Sequence, residues 1–143
     1  MTSANRRVID RFYAAVIAKD GEAIAAAIED GFAPDAVMRI SDSLPYGGVH
    51  AGREVIQGLL GKLARTRTPM VLVEKITVRR VLEQGDEIAV DVEFPWIAPG
   101  AAEPIRMAAV EWFTFRDGQV VEMTVSYWDT AACLRAIQAA RQE

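Results

Sequence analysis

Cysteine and histidine are almost absent from this 143-residue chain, which has one of each, Cys133 and His50. A lone thiol cannot close an internal disulfide, so a cytoplasmic location is expected. Cys133 sits in the apolar run ACLRAI and reads as a small buried core residue rather than a nucleophile. One histidine with no cysteine or carboxylate at ligand spacing gives no metal cluster, and neither metal nor cofactor is expected. Positive charge is also scarce. Sixteen Lys and Arg face twenty Asp and Glu, for a net charge of −4 and a pI near 5.1. That balance argues against nucleic-acid or anionic-membrane partners, which need clustered cations. The one basic group, Lys62, Arg65 and Arg67, reads as the solvated end of a helix. No apolar run reaches the roughly 18 residues of a membrane span, and no charged segment followed by an apolar one opens the chain. No glycine-rich phosphate loop joins a strand to a helix, and there is no Gly-x-Ser-x-Gly elbow. Nucleotide-dependent and serine-hydrolase chemistries therefore drop out.

What is present is a globular composition, 51% hydrophobic and 25% charged, enough for one compact domain over residues 1–143. Ser3 can cap a helix whose apolar positions Val8, Ile9, Phe12, Val16 and Ile17 recur at steps of three and four. Asp20 caps a second, alanine-rich helix expected to stop at Gly31 through a left-handed residue. DAVMRIS alternates as a short strand with Met38 and Ile40 on one side, and SDSLPYGGVHAG follows as a loop. Val55, Ile56, Leu59, Leu60 and Leu63 make a third helical stripe. After Pro69 the texture turns extended. MVLVEKITVRRVLEQ, EIAVDVEFPWIA, PIRMAAVEWFTFR and QVVEMTVSYW are rich in β-branched and aromatic residues, and Asp117-Gly118 is a strong hairpin signal. The last of them has room for a bulge. After Asp129 a terminal helix returns.

Helices at one end and strands joined by short turns at the other predict an α+β fold, a curved antiparallel sheet with helices on its concave side. Such a cone-shaped barrel leaves a pocket. Alternation turns Ile88, Val90, Val92, Phe94 and Trp96 inward and Asp91 and Glu93 outward. In the next strand Met107, Ala109, Glu111, Phe113 and Phe115 share one face. The opposite face, with Val110 and Trp112, is apolar enough to be covered by a second subunit, so a homodimer is expected.

The opening FYAAVIAKDGEAIAAAI, the segment LPYGGVHAGREVIQGLL and the closing EWFTFRDGQVVEMTVSYWDTAACL resemble the nuclear transport factor 2 like superfamily over nearly the whole chain. That superfamily includes SnoaL-like polyketide cyclases, ketosteroid isomerases and limonene epoxide hydrolases, whose members share a shape far more than a chemistry. The ketosteroid isomerases use a helix-one tyrosine, a first-strand aspartate and an acid on the aromatic strand. The resemblance puts these at Phe12, Ile40 and Glu111, and only Glu111 keeps its acid. The epoxide hydrolase set falls on Ala89, Asp91, Ser126, Met38 and Ile40 and is not reproduced.

Glu111, on an apolar concave wall, is the leading candidate for catalysis, because desolvation favours its neutral form and lets it exchange a proton near neutral pH. An outward register, or pairing with Arg106 or Arg39, is the structural alternative. His50 and Tyr46 lie in the loop expected to cross the pocket mouth. There His50 is a candidate proton shuttle to Glu111, with capping or packing as its other role. Met38, Ile40, Phe94, Trp96, Met107 and Phe113 are the expected wall. Tyr127 and Tyr13 are candidate phenols in the pocket, with core packing as the alternative. Asp129 reads as a helix cap. Two functions fit this set: a cofactor-free isomerase or cyclase acting on an apolar, carbonyl-bearing ligand, or a non-catalytic pocket or dimeric scaffold.

Overall fold

The computed structural model describes residues 1–142. Helix α1 (Ala4–Ile17) starts where the Ser3 side chain accepts from the Arg6 amide at 2.9 Å. Helix α2 (Gly21–Gly31) starts likewise at Asp20, which accepts from Ala23 at 3.1 Å. These side-chain oxygens satisfy amides that have no partner within the helix. Gly31 does not adopt the left-handed conformation expected of it. Its role is close approach, because a Cβ there would meet Val8 Cγ1 at 2.6 Å where α1 packs on α2.

Six strands form one sheet in the order β2-β1-β6-β5-β4-β3, with β1 Phe32–Ile40, β2 Gly48–Ala51, β3 Thr77–Gln84, β4 Glu87–Trp96, β5 Ile105–Arg116 and β6 Gln119–Tyr127. All neighbours run antiparallel except β1 and β6, which are parallel. The expectation of a purely antiparallel sheet is corrected here: the sheet is mixed, and the loop after β1 contains β2, which pairs back onto β1 with His50 opposite Met38. Residues 70–76 are not part of β3 either. They form a bridge from Val71 to Trp96 and a single 3-10 turn, Val73–Lys75, that closes over the end of β4.

Helix α3 (Arg53–Arg65) connects β2 to that segment, and α4 (Thr130–Arg141) ends the described chain, with the Asp129 side chain accepting from Ala132 at 3.0 Å as its cap. Between β5 and β6 both Asp117 and Gly118 have positive φ, 52° and 80°, the geometry of the tight hairpin turn. The expected bulge in β6 is present: Thr114 faces Glu122 and Phe115 faces Val120, which leaves Val121 unpaired. Bulges of this kind bend a sheet.

The alternation in β4 is as read. Ile88, Val90, Val92, Phe94 and Trp96 are all buried, while Asp91 and Glu93 stand on the other face in ion pairs with Arg79, Arg80 and Arg106. No helix among the described residues is long and apolar enough to cross a membrane.

Candidate active site

The curved sheet and the helices enclose a cavity of about 320 Å³. Its walls are apolar: Met38 and Ile40 from β1, Phe94 from β4, Met123 and Val125 from β6, and Leu59, Leu60 and Leu63 from the stripe of α3. Polar side chains reach this lining at two places: Tyr13, Tyr46, Glu111 and Tyr127 on the sheet side, and Lys62, Thr66 and Thr68 at the end of α3 and just past it.

Glu111 projects inward because it shares the β5 face of Ala109 and Phe113, both buried. Neither cation proposed as its partner is there, since Arg106 pairs with Glu93 and Arg39 with Glu122. Its partner is Tyr13, whose phenol donates to Glu111 Oε1 in a short hydrogen bond. The other oxygen, Oε2, has no hydrogen-bond partner among the described residues, where no fully buried side-chain polar atom is left unpaired, so it opens onto the cavity. Burial pushes the Glu111 carboxyl up from 4.5 to about 7, against a smaller opposing effect of the Tyr13 hydrogen bond. Burial, followed by the nearby carboxylate, pushes the Tyr13 phenol well above its ordinary value, so Tyr13 remains the donor.

The helix-one phenol is therefore supplied by Tyr13, one residue past the position Phe12 suggested by the resemblance. Phe12 also faces the cavity but packs its ring against Tyr13, Phe32 and Phe113.

A second polar group lies on the same face. Trp96 Nε1 donates to the Tyr46 hydroxyl at 2.9 Å, and the Tyr46 and Tyr127 hydroxyls are 2.5 Å apart. Burial raises the pKa of both phenols, keeping them protonated. The loop carrying Tyr46 is held tightly: Gly47 donates to Leu44 O at 2.9 Å, and a Cβ on Gly47 would collide with the Ser41 carbonyl oxygen.

His50 does not line the cavity. It lies on β2, and its Nε2 is 3.0 Å from the Tyr46 carbonyl oxygen. A carbonyl only accepts, so Nε2 carries the hydrogen and the ring ties down the loop. The geometry thus gives His50 a positioning contact on Tyr46, outside the lining that holds Glu111.

Three expected wall residues are also outside the lining. Trp96 is fully buried beneath residues 70–73 and offers only its N–H to Tyr46. Met107, opposite Phe94 in the ladder, is packed in the core. Phe113 is closed off by Phe12 and Tyr13, with its ring centroid 6.1 Å from that of Tyr13. Their places are taken by α3 and by Met70, Val71 and Val73 of the covering segment. The α3 stripe was visible in the sequence, but which cavity it faces was not.

A family model described as the SnoaL-like domain matches residues 9–123, a span that contains both Tyr13 and Glu111. The chain belongs to the SnoaL-like domain family. Solved structures agree on the fold. TerC, co-crystallised with polyporic acid, is 23% identical, with a TM-score of 0.74 over 95% of this chain and 99% of that one. A protein of Jannaschia sp. CCS1, described as a candidate SnoaL-like polyketide cyclase, is 18% identical, with a TM-score of 0.73 over 95% and 92% of the two chains. A nuclear transport factor 2 like protein of unknown function from Burkholderia pseudomallei is 21% identical, with a TM-score of 0.74 over 94% and 98%. No curated protein matches the chain in sequence. At these identities the likeness establishes the α+β cone and leaves the chemistry to the side chains of this SnoaL-like domain.

Proposed function

We propose that this SnoaL-like domain is a cofactor-free acid/base enzyme, isomerase or cyclase in type, acting on an apolar ligand that carries a carbonyl group. The observation that carries the reading is Glu111, a carboxyl group on the wall of an apolar cavity, half-ionised near pH 7 and with one oxygen free of protein partners. A base poised near the working pH is the efficient one for proton transfer. Ionised Glu111 takes a proton from the carbon next to the ligand carbonyl through Oε2, and the C–H electron pair moves into the enolate. The carboxylic acid then returns the proton to the same or a conjugated carbon. Tyr13 holds Oε1 throughout and fixes the carboxyl orientation. TerC, which shares the fold, is co-crystallised with polyporic acid, which fits a ligand-holding cone.

The test uses 2-tetralone, a bicyclic ketone with acidic α-hydrogens, in deuterated buffer with proton NMR as the readout. The wild-type protein is expected to accelerate α-exchange, and Glu111→Gln to lower that acceleration by at least about 100-fold. Exchange no faster than buffer, with the ketone bound, would favour the second reading, a ligand-binding module without chemistry. That reading draws on Ile40, which leaves the first strand without an acid in the cavity.

We also infer a homodimer through the outer face of the sheet. Val110 and Trp112 of β5 are 44% and 47% exposed, and Leu82 and Trp128 beside them 71% and 86%, an unusual density of large apolar groups on one face. Sedimentation at micromolar concentration is expected to give the mass of two chains, and the mass of one chain would refute the interface. The free, buried Cys133 suits a reducing compartment such as the cytoplasm.

A further inference from the structure

Counting hydrogens in the second polar group shows that it is incomplete. Trp96 Nε1–H, Tyr46 O–H and Tyr127 O–H are three donors, and only two contacts join them. The indole hydrogen is spent on the Tyr46 oxygen. One phenolic hydrogen lies between the two hydroxyls, whichever of them donates. One phenolic O–H is left over, and neither hydroxyl has another acceptor among the described residues. Both tyrosines line the cavity, so the spare donor is available to a ligand there, although Tyr127 also borders the groove beside Trp128. An O–H in an apolar cavity is a strong and selective binder of an oxygen acceptor.

The ladder sets where that donor lies relative to the carboxyl. Glu111 is opposite Val125 and Ala109 is opposite Tyr127, so Glu111 and Tyr127 are diagonal neighbours on one face, roughly 7 to 8 Å apart at the backbone. One ligand of modest size can touch both.

We propose that Tyr46 and Tyr127, backed by Trp96, form a subsite for the carbonyl or enolate oxygen of the ligand, separate from the Tyr13–Glu111 pair. This rests on the acid/base reading only in identifying that oxygen as the one conjugated to the carbon Glu111 serves. As negative charge develops on the oxygen, the relay strengthens it in sequence. The Trp96 hydrogen bond to Tyr46 makes the phenol a better donor. His50 and Gly47 are the positioning residues of this subsite, since they fix the loop from which Tyr46 enters.

The relay also predicts how it fails. In Tyr127→Phe, Tyr46 still accepts from Trp96 and its own hydrogen becomes free. In Tyr46→Phe, the Tyr127 hydrogen becomes free, and the Trp96 N–H also loses its acceptor but lies behind the cavity lining. Each single variant keeps one donor in a shifted position, and only Tyr46→Phe/Tyr127→Phe removes the subsite.

The probes are 2-tetralone labelled with carbon-13 at its carbonyl and tetralin, its counterpart without the oxygen. Infrared spectra of the bound ketone report on hydrogen bonding, and titrations give the affinities. In the wild type the carbonyl band is expected below its position in an alkane solvent. In the double phenylalanine variant it should return to the alkane position, with ketone affinity down roughly tenfold and tetralin affinity unchanged. In Tyr13→Phe/Glu111→Leu the band should stay shifted. An unshifted band in the wild type, a band still shifted in the phenol double variant, or one restored by Tyr13→Phe/Glu111→Leu would each overturn the proposal. If the phenol double variant does not fold, by circular dichroism, the wild type and Tyr13→Phe/Glu111→Leu decide: a shifted band in both supports the subsite, and an unshifted band in either overturns it. A shifted band without α-exchange refutes the acid/base reading and leaves the subsite standing. Exchange without a shifted band does the reverse.

Discussion

Glu111→Gln is expected to make the protein more stable at pH 8 relative to wild type than it is at pH 5. The folded carboxyl holds its proton up to about pH 7 against 4.5 for an ordinary glutamate, because burial penalises the charged form. The native state therefore binds this proton more tightly than the unfolded chain does. Below about 4.5 both states are protonated and the site costs nothing. As pH rises through the window from about 4.5 to about 7, the unfolded chain ionises first and wild-type stability falls, reaching a constant penalty above it. The difference corresponds to at most about 3 kcal/mol, lessened by any water the cavity admits. Glutamine keeps an oxygen to accept from Tyr13 and has no charge to bury. Denaturant unfolding of both proteins at pH 5 and pH 8 should show a steep loss in the wild type and a much smaller one in the variant. Parallel pH profiles would show that the carboxyl is not desolvated. Asp91 and Glu93 do not confuse the comparison: hydrogen bonds from Arg79 and Arg106 lead in holding their carboxyls below the ordinary range, so they matter only at lower pH and act equally in both proteins.

Phe113→Ala is expected to cost about 3 to 5 kcal/mol, a large part of the stability of a domain this size. Phe113 is fully buried and packs edge-on against Phe12 at 5.9 Å and Tyr13 at 6.1 Å. Its removal leaves a void behind the ring that aims the Tyr13 phenol, so α-exchange of 2-tetralone should also fall in the fraction that stays folded. Phe113→Leu fills most of the volume and should lose less than half as much. A cost below about 1 kcal/mol for the alanine variant, read from the denaturation midpoint, would mean that the wall collapses to fill the gap.

Much of this arrangement was legible in the sequence because strand alternation is a strict rule. The period of two placed Glu111, Phe94, Met38 and Ile40 inward and Asp91 and Glu93 outward, and the positive-φ turn at Asp117-Gly118 fixed the β5–β6 register. What escaped depends on contacts distant in the chain. The parallel pairing of β1 with β6 joins residues more than eighty positions apart and leaves no local pattern. β2 is four residues long and begins at a glycine in a segment dense with turn formers. Alternation also says only that a side chain faces inward, not whether it meets space or another ring, so it does not separate Trp96, Met107 and Phe113, which pack in the core, from the residues that line the cavity. Phe12 and Tyr13 are adjacent on a helix whose buried arc is wide enough to hold both, and helical period alone cannot choose between them.

The place of β6 bears on how the protein is made. This strand, residues 119–127, is late in the chain yet lies between β1 and β5 near the middle of the sheet. During synthesis β1 and β2 emerge early and can form only a two-strand ribbon, and β3 to β5 follow as a separate hairpin stack. Neither half closes the cone. In the finished fold the two pieces are joined through β6, where the Tyr127 hydroxyl meets that of Tyr46 and Val125 lies opposite Glu111. Until β6 is in place the inner faces of α1 and α3 stand open to water, so a nascent chain stalled before residue 119 should engage chaperones, and one released past residue 127 should not.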